Sequence, residues 1–285
     1  MTPENAQATV ASVRCPDYDA ERVRESVRTL LDALPELQEK LSAADRVLLK
    51  PNLLSSTRGP EKHVNTHPVV VRTVAELAMR EFGCAVAIGD SCGTLTDGST
   101  ARALEKSGIV DICEDLGAEL YNVDTQPRHV VEFEEGLVWR RITLPSNLDD
   151  FDMVVSLAKL KTHSLTGVTG PVKNLFGLVP GQAKKHAHLM CPRVDKFTTL
   201  LTDLYACVRP GAALLDGIVG MEGHGPANGK LRDVGMLAAS TDPVALDAFA
   251  AQVMGFDPMD IGTLAKCDRR GLGVARPEAI AVVGP

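Results

Sequence analysis

Short apolar runs alternate with longer segments of helical periodicity along most of this 285-residue chain. Each run ends in a glycine-containing or polar turn, and this alternation is typical of the βα units of α/β proteins. Six runs are predicted to be strands, namely residues 46–52, 85–93, 153–163, 212–220, 234–240 and 279–284. We therefore predict an α/β fold with an open, mostly parallel sheet flanked by helices.

Three of the intervening segments carry clear helix signals. Residues 67–83 place apolar side chains at helical spacing, have a proline in the first turn and end with a glycine. Residues 100–117 and 242–258 are predicted to be two further helices. Asp242 is the expected N-cap of the last helix, and Asp247 is expected to interact with the dipole of its first turn.

The stretch 119–150 has a different pattern, in which apolar and polar residues alternate around a Glu-Glu-Gly sequence. This pattern predicts a β-hairpin or two edge strands. The sequence contains no internal repeat, low-complexity tract or recognisable linker. It therefore predicts a single α/β domain over residues 1–285, with an accessory β insertion at about 119–150.

Charge and hydropathy limit the classes of partner. The net charge is -7, no run approaches the ~20 apolar residues needed to span a bilayer, and the first residues lack the layout of a secretory signal. Nucleic-acid binding draws on broad basic surfaces, which an acidic chain does not favour. We expect a cytoplasmic protein with neither a nucleic-acid nor a membrane partner, and the sequence leaves open a homo-oligomer.

The seven cysteines indicate neither a disulfide framework nor a metal cluster. Their number is odd, they are spread along the chain, and none of them forms a CxxC pair. We therefore expect no bound iron–sulfur cluster.

Polar side chains follow four of the predicted strands. In open α/β sheets, ligands bind beyond the carboxyl ends of the strands. The candidate substrate-binding residues there are Lys50 and Asn52 after the first strand, Asp90 and Ser91 after the second, Lys161 at the end of the third and Asp216 after the fourth. These side chains, together with Lys159 and His163 on the third strand, are expected to face one pocket.

The stretch 156–192 collects lysines, histidines and four glycines without a single acidic residue. Lys173 and Asn174 supply donors, while the glycines let the backbone approach a ligand. Neighbouring lysines repel one another unless an anion lies between them, which favours a small carboxylate or phosphate ligand over a solvated face. Burial of such a cluster would lower lysine pKa values and could make Lys173 nucleophilic.

Two further groups are candidates for chemistry. His186, His188 and Cys191 offer nitrogen and sulfur ligands for nickel, iron or zinc, but histidines two residues apart cannot share a helix face, so they would need an irregular backbone. Glu222 and His224 lie in a glycine-rich loop and would suit proton transfer as that loop closes. The alternatives are surface histidines in the first group and a water-facing flexible loop in the second.

Cys92 follows the second strand in the sequence "GDSCGT". Such a loop can form a backbone nest for an anion, with Cys92 as a thiolate. The alternative is a structural turn with an inert cysteine.

Several motifs resemble, in order, the domain of unknown function 362 family over roughly residues 46–285. They are "LLKPNLL", "THPVVV", "IGDSCG", "KLKTHSLTGVTGPVKNLFGLVPG", "DGIVGMEGHGP" and "STDPVALDAFAAQVMG". The family is largely uncharacterised. Many members carry a ferredoxin-like iron–sulfur module, which this chain lacks.

The spacing of nine residues between His163 and Lys173, followed by "GLVPG" and a later histidine, is distantly similar to the nickel-pincer lactate racemase family. This resemblance implies that Lys173 anchors a pyridinium-derived cofactor, that His163 is an acid–base, and that His186 or His188 binds metal. The racemase pattern has a second catalytic histidine where this chain has "GDSCGT", so Asp90 or Cys92 would take its place.

These observations lead to three functional hypotheses. The first is an enzyme that acts on a small carboxylate- or phosphate-bearing metabolite by proton or hydride transfer, in the manner of a racemase or an oxidoreductase. The second is a metal-binding redox protein that works with separate ferredoxin-type partners. The third is a non-catalytic regulator that binds an anion.

Overall fold

The computed structural model describes residues 7–94, 96 and 98–284, so residues 1–6, 95, 97 and 285 of the predicted domain lie outside the described part. The described strands are β1 (Ala8–Arg14), β2 (Arg46–Pro51), β3 (Ala85–Asp90), β4 (Glu119–Asn122), β5 (Arg128–Glu132), β6 (Arg141–Pro145), β7 (Met153–His163), β8 (Gly167–Thr169), β9 (Ala212–Glu222), β10 (Lys230–Ser240) and β11 (Ile280–Val283).

The helices of the described residues alternate with these strands. They are α1 (Ala20–Asp32), α2 (Pro35–Ser42), α3 (Pro68–Glu81), α4 (Ser99–Lys106), α5 (Ile109–Leu116), α6 (Pro171–Asn174), α7 (Gly181–Met190), α8 (Val194–Val208), α9 (Pro243–Val253) and α10 (Gly262–Arg269). No helix in the described ranges is both long enough and apolar enough to cross a membrane.

Within the described residues, the main sheet has the order β11-β1-β10-β9-β7-β2-β3-β4, and the short β8 pairs with β7. The pairs β1–β10, β10–β9 and β7–β8 are antiparallel, and the other neighbours are parallel. The predicted α/β class with a mostly parallel sheet is confirmed. Because β9, β7, β2 and β3 are parallel neighbours, their carboxyl ends meet at one edge of the sheet.

Two hydrophobic clusters cover the two faces of the sheet. One joins the sheet to α1 through α5, and the other joins it to α6 through α10 and to the β5–β6 hairpin. Helix α1 shows why: Val23, Val27, Leu30 and Leu31 are buried, and this spacing forms one apolar stripe along a helix. The strand β7 alternates between the faces, so Val155 and Leu157 pack on the α1–α5 side.

The structure refines several predicted elements. Residues 100–117 form two helices rather than one, because Gly108 adopts a φ of 74° and separates α4 from α5. Within 119–150, β4 belongs to the main sheet as its edge strand, and β5 and β6 form a separate antiparallel pair. Asp242 caps α9 as expected, since its carboxylate accepts the N–H groups of Val244 and Ala245.

Candidate functional site

The carboxyl edge of the parallel strands contains a buried lysine ion pair. Lys50 Nζ lies 2.7 Å from Asp90 Oδ1, and both side chains are almost fully buried. Lys50 is a buried residue one position before the end of β2, and Asp90 is the last residue of β3, so parallel pairing brings them close together. Burial lowers the pKa of Lys50, and the contact with Asp90 opposes this shift.

Asn174 connects this ion pair to the short helix α6. Its Oδ1 accepts hydrogen bonds from Lys50 Nζ and from Asn52 Nδ2, each at 3.1 Å. Its Nδ2 donates to Lys50 O and to Ser156 Oγ at 3.0 Å. The predicted site residues Lys50, Asn52, Asp90 and Asn174 therefore lie together. Asn52 Oδ1 is buried and accepts no hydrogen bond from the described part of the chain.

Lys184 on α7 is a buried lysine that was not among the predicted site residues. Its Nζ donates to Ser91 O at 2.5 Å, to Ser91 Oγ at 2.8 Å and to Cys92 O at 3.2 Å. Burial lowers its pKa to about 8. The signal available in the sequence was its place in an acid-free segment, but its inward orientation depends on where α7 begins.

Asp124 anchors the amino end of α7 beside Lys184. Its carboxylate accepts hydrogen bonds from Ser91 Oγ at 2.9 Å, Thr100 Oγ1 at 2.6 Å and Gly181 N at 2.7 Å. Burial acts to raise its pKa, but these hydrogen bonds outweigh burial, so the pKa of Asp124 is lowered. A cavity of about 180 Å³ adjoins this carboxylate and is also lined by Arg128 and Lys185.

Lys161 and Lys173 differ from Lys50, because neither contacts a carboxylate among the described residues. Lys161 Nζ is fully buried and donates to Val64 O at 2.5 Å. Lys173 makes no hydrogen bond or ion pair with residues 7–94, 96 or 98–284, and its side chain is only partly exposed. These two amines are hydrogen-bond donors that have no anionic partner among the described residues.

The pKa values of both amines are depressed. Burial, followed by the charges of Lys173 and Lys159, places the pKa of Lys161 well below that of an ordinary lysine. Burial lowers the pKa of Lys173 to about 8, with further contributions from the charges of Lys184 and Lys50. An appreciable fraction of Lys173 is therefore an uncharged amine near neutral pH.

His163 ends β7 next to these lysines. Burial, then the charges of Lys173 and Lys161, lowers its pKa to about 3, so the imidazole is neutral. Its Nδ1 accepts the N–H of Leu165 at 3.1 Å, which leaves the proton of the neutral ring on Nε2. In this state His163 is a hydrogen-bond donor through Nε2.

The structure does not assemble the predicted metal trio of His186, His188 and Cys191. His186 and His188 lie two residues apart on α7, which separates them onto different helix faces. The ring of His188 stacks on Phe197 at 4.8 Å, whereas His186 is exposed. In the described residues, no group of three or more His, Cys, Asp or Glu side chains could hold a metal ion.

A second buried cluster lies between β7 and β9, the neighbour of β7 on the side away from β2. Lys159 Nζ lies 2.9 Å from Asp216 Oδ2, and neither side chain is exposed to solvent. The hydroxyl of Tyr18 accepts a hydrogen bond from Lys159 at 2.7 Å and donates one to Asp216 at 2.9 Å. Asp216 also accepts the backbone N–H of His67 at 3.0 Å. Asp216, a predicted substrate-binding residue, is therefore saturated by protein donors.

Two histidines that were not predicted to belong to the site pack on Tyr18. The rings of His67 and Tyr18 stack with a centroid distance of 3.7 Å, and His63 stacks on the same tyrosine at 5.5 Å. Burial lowers the pKa of His67 to about 4. His63 lies in the β2–α3 loop, His67 is the N-cap of α3, and Tyr18 lies in the segment before α1. The periodicity of residues 67–83 predicted the helix but not the contacts that these three rings make.

The predicted catalytic pair Glu222 and His224 does not join the lysines. Glu222 forms an exposed ion pair with Arg232 at 2.8 Å, and His224 is exposed. Arg58 holds the loop that follows β9, because its guanidinium donates to Ala227 O and to Asn228 Oδ1. This loop is therefore connected to the β2–α3 loop.

Cys92 is a buried thiol rather than a thiolate. Its side chain is 1% exposed, and burial raises its pKa. Its Sγ donates to Leu54 O at 3.3 Å and accepts the N–H of Thr94 at 3.4 Å. The loop is therefore a structural turn with an inert cysteine, which was the alternative to an anion-binding nest with a thiolate.

The carboxyl group of Asp247 contacts the backbone of α6 rather than the first turn of its own helix, α9. Its Oδ2 accepts the N–H of Val172 at 2.8 Å, and the residue after Val172 is Lys173. Burial raises the pKa of Asp247 to about 7. A Cβ on Gly170 would lie 1.6 Å from Asp247 Oδ1, so glycine is required where the carboxyl group meets the chain.

Gly177 is predicted to be essential for the packing of the Lys50–Asp90 pair. A Cβ at this position would lie 1.8 Å from Asp90 Oδ1 and 2.5 Å from Lys50 Nζ. We expect Gly177→Ala to lower the free energy of unfolding by about 3 kcal/mol, because the buried pair must move. Denaturant titration measures this loss.

Gly181→Ala is the matched control for that substitution. The nearest atom to its added Cβ would be Asp124 Oδ1 at 3.6 Å, which is an ordinary contact. Its effect is expected to stay below about 1 kcal/mol. Equal losses in the two variants would contradict the packing argument.

Comparison with solved structures shows a known fold that this chain resembles. The lactate racemase apoprotein from Thermoanaerobacterium thermosaccharolyticum superposes with a TM-score of 0.53 at 12% identity, covering 87% of this chain and 57% of the racemase chain. The chain thus spans little more than half of that racemase, and the likeness concerns the fold. A protein from Thermotoga maritima superposes over 74% of this chain and 52% of its own, with a TM-score of 0.43 and 16% identity.

A sequence relative and a family model agree with the resemblance seen in the motifs. A thylakoid-associated protein from Synechocystis sp. is 35% identical over 277 residues, covering 95% of this chain and 82% of the relative. The model of the family described as Domain of unknown function (DUF362) matches residues 47–252, well over half of the chain. This protein therefore belongs to the DUF362 family.

Proposed function

We propose that this protein is an enzyme that binds a small carboxylate- or phosphate-bearing metabolite at Lys161 and Lys173 and transfers a proton or a hydride at the bound ligand. The observation that carries the proposal is the contrast among the buried lysines. Lys50 and Lys159 each contact a carboxylate, whereas Lys161 and Lys173 contact none in the described part of the chain. An anionic ligand would stabilise the charged form of a largely buried amine that has no counter-ion.

The contrast also revises the roles of the predicted binding residues. Lys50 is neutralised by Asp90 and hydrogen-bonded to Asn174, so these three residues form the frame that holds α6 in place. Asp216 serves the second cluster in the same way. Direct contact with the anion falls to Lys161 and Lys173.

Ligand binding would change the protonation of the site. Burial, and after it the charges of Lys173 and Lys161, lowers the pKa of His163 to about 3. An anion beside the two lysines favours their charged forms and offsets the part of this shift that their charges cause. The pKa of His163 would then rise toward neutral pH, where an imidazole transfers protons well. This coupling would confine the acid–base role of His163 to the ligand-bound protein.

Hydroxy acids are a suitable ligand class. Their carboxylate would accept hydrogen bonds from the lysines. Their hydroxyl would donate one to Asn52 Oδ1, which is buried and has no partner within residues 7–94, 96 and 98–284. The structural neighbour from Thermoanaerobacterium is a lactate racemase. Lactate is therefore the first probe to use.

The resemblance to nickel-pincer racemases raises the question of whether the residues fit such a cofactor. Lys173 fits a covalent anchor, because its amine has no partner in the described residues and its pKa is about 8. Burial, followed by the charges of Lys173 and Lys184, lowers the pKa of His188 and favours the neutral imidazole that a metal requires, so His188 would be the nitrogen ligand. When bound, such a group supplies a hydride acceptor. The chain's own contribution is to orient the carboxylate and hold the proton at His163.

The test measures hydrogen exchange and racemisation at the hydroxyl-bearing carbon of D- or L-lactate. Protein purified from its native host is incubated with either enantiomer in D₂O, and products are followed by proton NMR and chiral chromatography. Proton transfer would exchange deuterium into that carbon, whereas hydride transfer would racemise it with the original hydrogen retained. Either result supports the proposal.

Two variants check that the site is responsible. Lys173→Ala is expected to reduce turnover by about a hundredfold or more, because a positioned donor or nucleophile is lost. Lys185→Ala, one residue beyond Lys184 and exposed, is expected to leave turnover unchanged. Turnover that survives Lys173→Ala would overturn the assignment.

The second candidate function is a non-catalytic regulator that binds an anion, and it is supported by the same contrast between paired and unpaired lysines. It would bind lactate or phosphate in calorimetry and return the ligand chemically unchanged. Binding without exchange or racemisation in any of a panel of hydroxy acids would favour this second candidate.

A further inference from the structure

The end of α7 and the start of α8 expose a surface that combines apolar and basic side chains. Leu189 is 79% exposed, Met190 52% and Val194 49%. The residues of this interfacial surface, as we call it, are Lys185, His186, Leu189, Met190, Arg193, Val194 and Lys196, all of them exposed. Apolar side chains this accessible, next to one another and flanked by cations, are typical of an interaction site.

Helical spacing joins the two kinds of side chain. Lys185 lies four residues before Leu189, and His186 lies four residues before Met190, so each basic group shares a helix face with an apolar one. Basic side chains beside exposed Leu and Met are the arrangement found in helices that lie in the headgroup region of a bilayer.

The local charge is opposite in sign to that of the whole chain. The net charge is -7, yet no aspartate or glutamate occurs in residues 153–194. Asp195 is the acidic residue within the surface, and its carboxylate forms an ion pair with Lys266 at 2.8 Å. The surface is therefore positive on a negative protein.

We propose that the interfacial surface docks the protein on an anionic lipid bilayer. The apolar side chains would enter the boundary between headgroups and acyl chains, while Lys185, Arg193 and Lys196 would contact the lipid phosphates. A stable protein partner is a poorer match, because such interfaces use roughly 20–30 residues on each side. The proposal departs from the expectation of no membrane partner, which rested on the lack of an apolar run long enough to span a bilayer. Surface docking does not require such a run.

This surface shares its helix with the candidate site. Lys184, one residue before Lys185, donates to Ser91 and Cys92, and the amino end of α7 donates to Asp124. Docking would therefore bring the bilayer close to the edge of the sheet where the buried lysines lie. The docking proposal stands on the exposed side chains alone and does not depend on the proposed function.

The experiment is co-sedimentation of the purified full-length protein with vesicles. One set contains equal parts of phosphatidylglycerol and phosphatidylcholine, and the other contains phosphatidylcholine alone. We expect binding to the anionic vesicles at least about tenfold stronger than to the neutral ones, and weakened as salt rises from about 50 to about 500 mM.

Paired variants locate the contact. Leu189→Glu with Met190→Glu is expected to reduce the partition coefficient on anionic vesicles by about tenfold or more, because it removes apolar surface and adds negative charge. The matched control is Val253→Glu with Phe256→Glu, which changes another exposed apolar pair, 40% and 37% accessible, near the end of α9. That control is expected to bind like the unmodified protein.

Circular dichroism of each variant ensures that unfolding does not imitate loss of binding. Three results would overturn the proposal: equal binding to both vesicle types, equal loss in the two paired variants, or no sedimentation with anionic vesicles. Sedimentation without lipid that disappears in Leu189→Glu with Met190→Glu would instead identify a contact between two copies of the chain.

Discussion

Inorganic phosphate and acetate are expected to raise the melting temperature of this protein near neutral pH and to lose most of that effect above about pH 9. The pKa values of Lys173 and Lys184 are about 8, so their positive charges disappear over this interval. An anion at about one hundred times its dissociation constant contributes about 2.7 kcal/mol, which corresponds to a shift of roughly 5 °C for a chain of this size.

The stability of the ligand-free protein should change in the opposite sense. Because the folded lysines have pKa values of about 8 and unfolded lysine has one near 10.5, the unfolded chain binds more protons between these values. Stability therefore rises with pH over that window, and this contribution is lost as the pH falls through about 8. An anion would offset the loss at the lower pH, and thermal unfolding across the pH range measures both effects.

Lys173→Met is the decisive variant for this prediction. It keeps a long apolar side chain without the amine, and we expect it to abolish most of the anion-dependent shift. Lys185→Met removes an exposed cation from the same segment and is expected to keep the shift. A shift that persists in Lys173→Met, or that grows with pH, would show that the anions act elsewhere.

The second large effect is expected from the Lys159–Asp216 ion pair. Asp216→Ala would leave Lys159 buried without its counter-ion and would also remove the acceptor of the Tyr18 hydroxyl. Both side chains are 0% exposed, so solvent does not screen the loss. We expect unfolding free energy to fall by about 3–5 kcal/mol, measured by denaturant titration.

A double substitution separates loss of the pair from loss of packing. Lys159→Met with Asp216→Leu removes both charges, and it is expected to be more stable than Asp216→Ala alone, since a buried pair replaced by apolar groups is often tolerated. Glu222→Ala breaks the exposed pair with Arg232 and should cost less than about 1 kcal/mol. A double variant as unstable as Asp216→Ala would contradict this account.

The alternation of apolar runs and helical segments was enough to predict an α/β fold with a mostly parallel sheet. Four predicted strands proved to be parallel neighbours, and Lys50, Asp90 and Lys161 lie at the shared edge, as strand-end positions require. Periodicity reports which residues end a strand. It does not report which charged groups then pair, so the division into paired and unpaired lysines came only from the structure.

The residues missed at the sequence level share a physical reason. Tyr18 and His63 come from connecting segments, and His67 is the N-cap of α3, so the contacts among their rings depend on the tertiary path of those segments. Lys184 is directed inward by the start of α7 at Gly181, a boundary set by the hydrogen bond to Asp124. The predicted trio of His186, His188 and Cys191 is not brought together for the same reason, since residues 181–190 form a helix that separates His186 from His188.

The alternation of side chains along β7 has a consequence for changes in chain length. Lys159 and Lys161 lie two residues apart in one continuous strand and therefore face the same side of the sheet. Inserting or deleting one residue between Met153 and Lys159 would turn both lysines toward the opposite hydrophobic layer. We therefore expect β7 to tolerate substitutions far better than the insertion or deletion of one residue. Both buried clusters depend in this way on the length of a single strand.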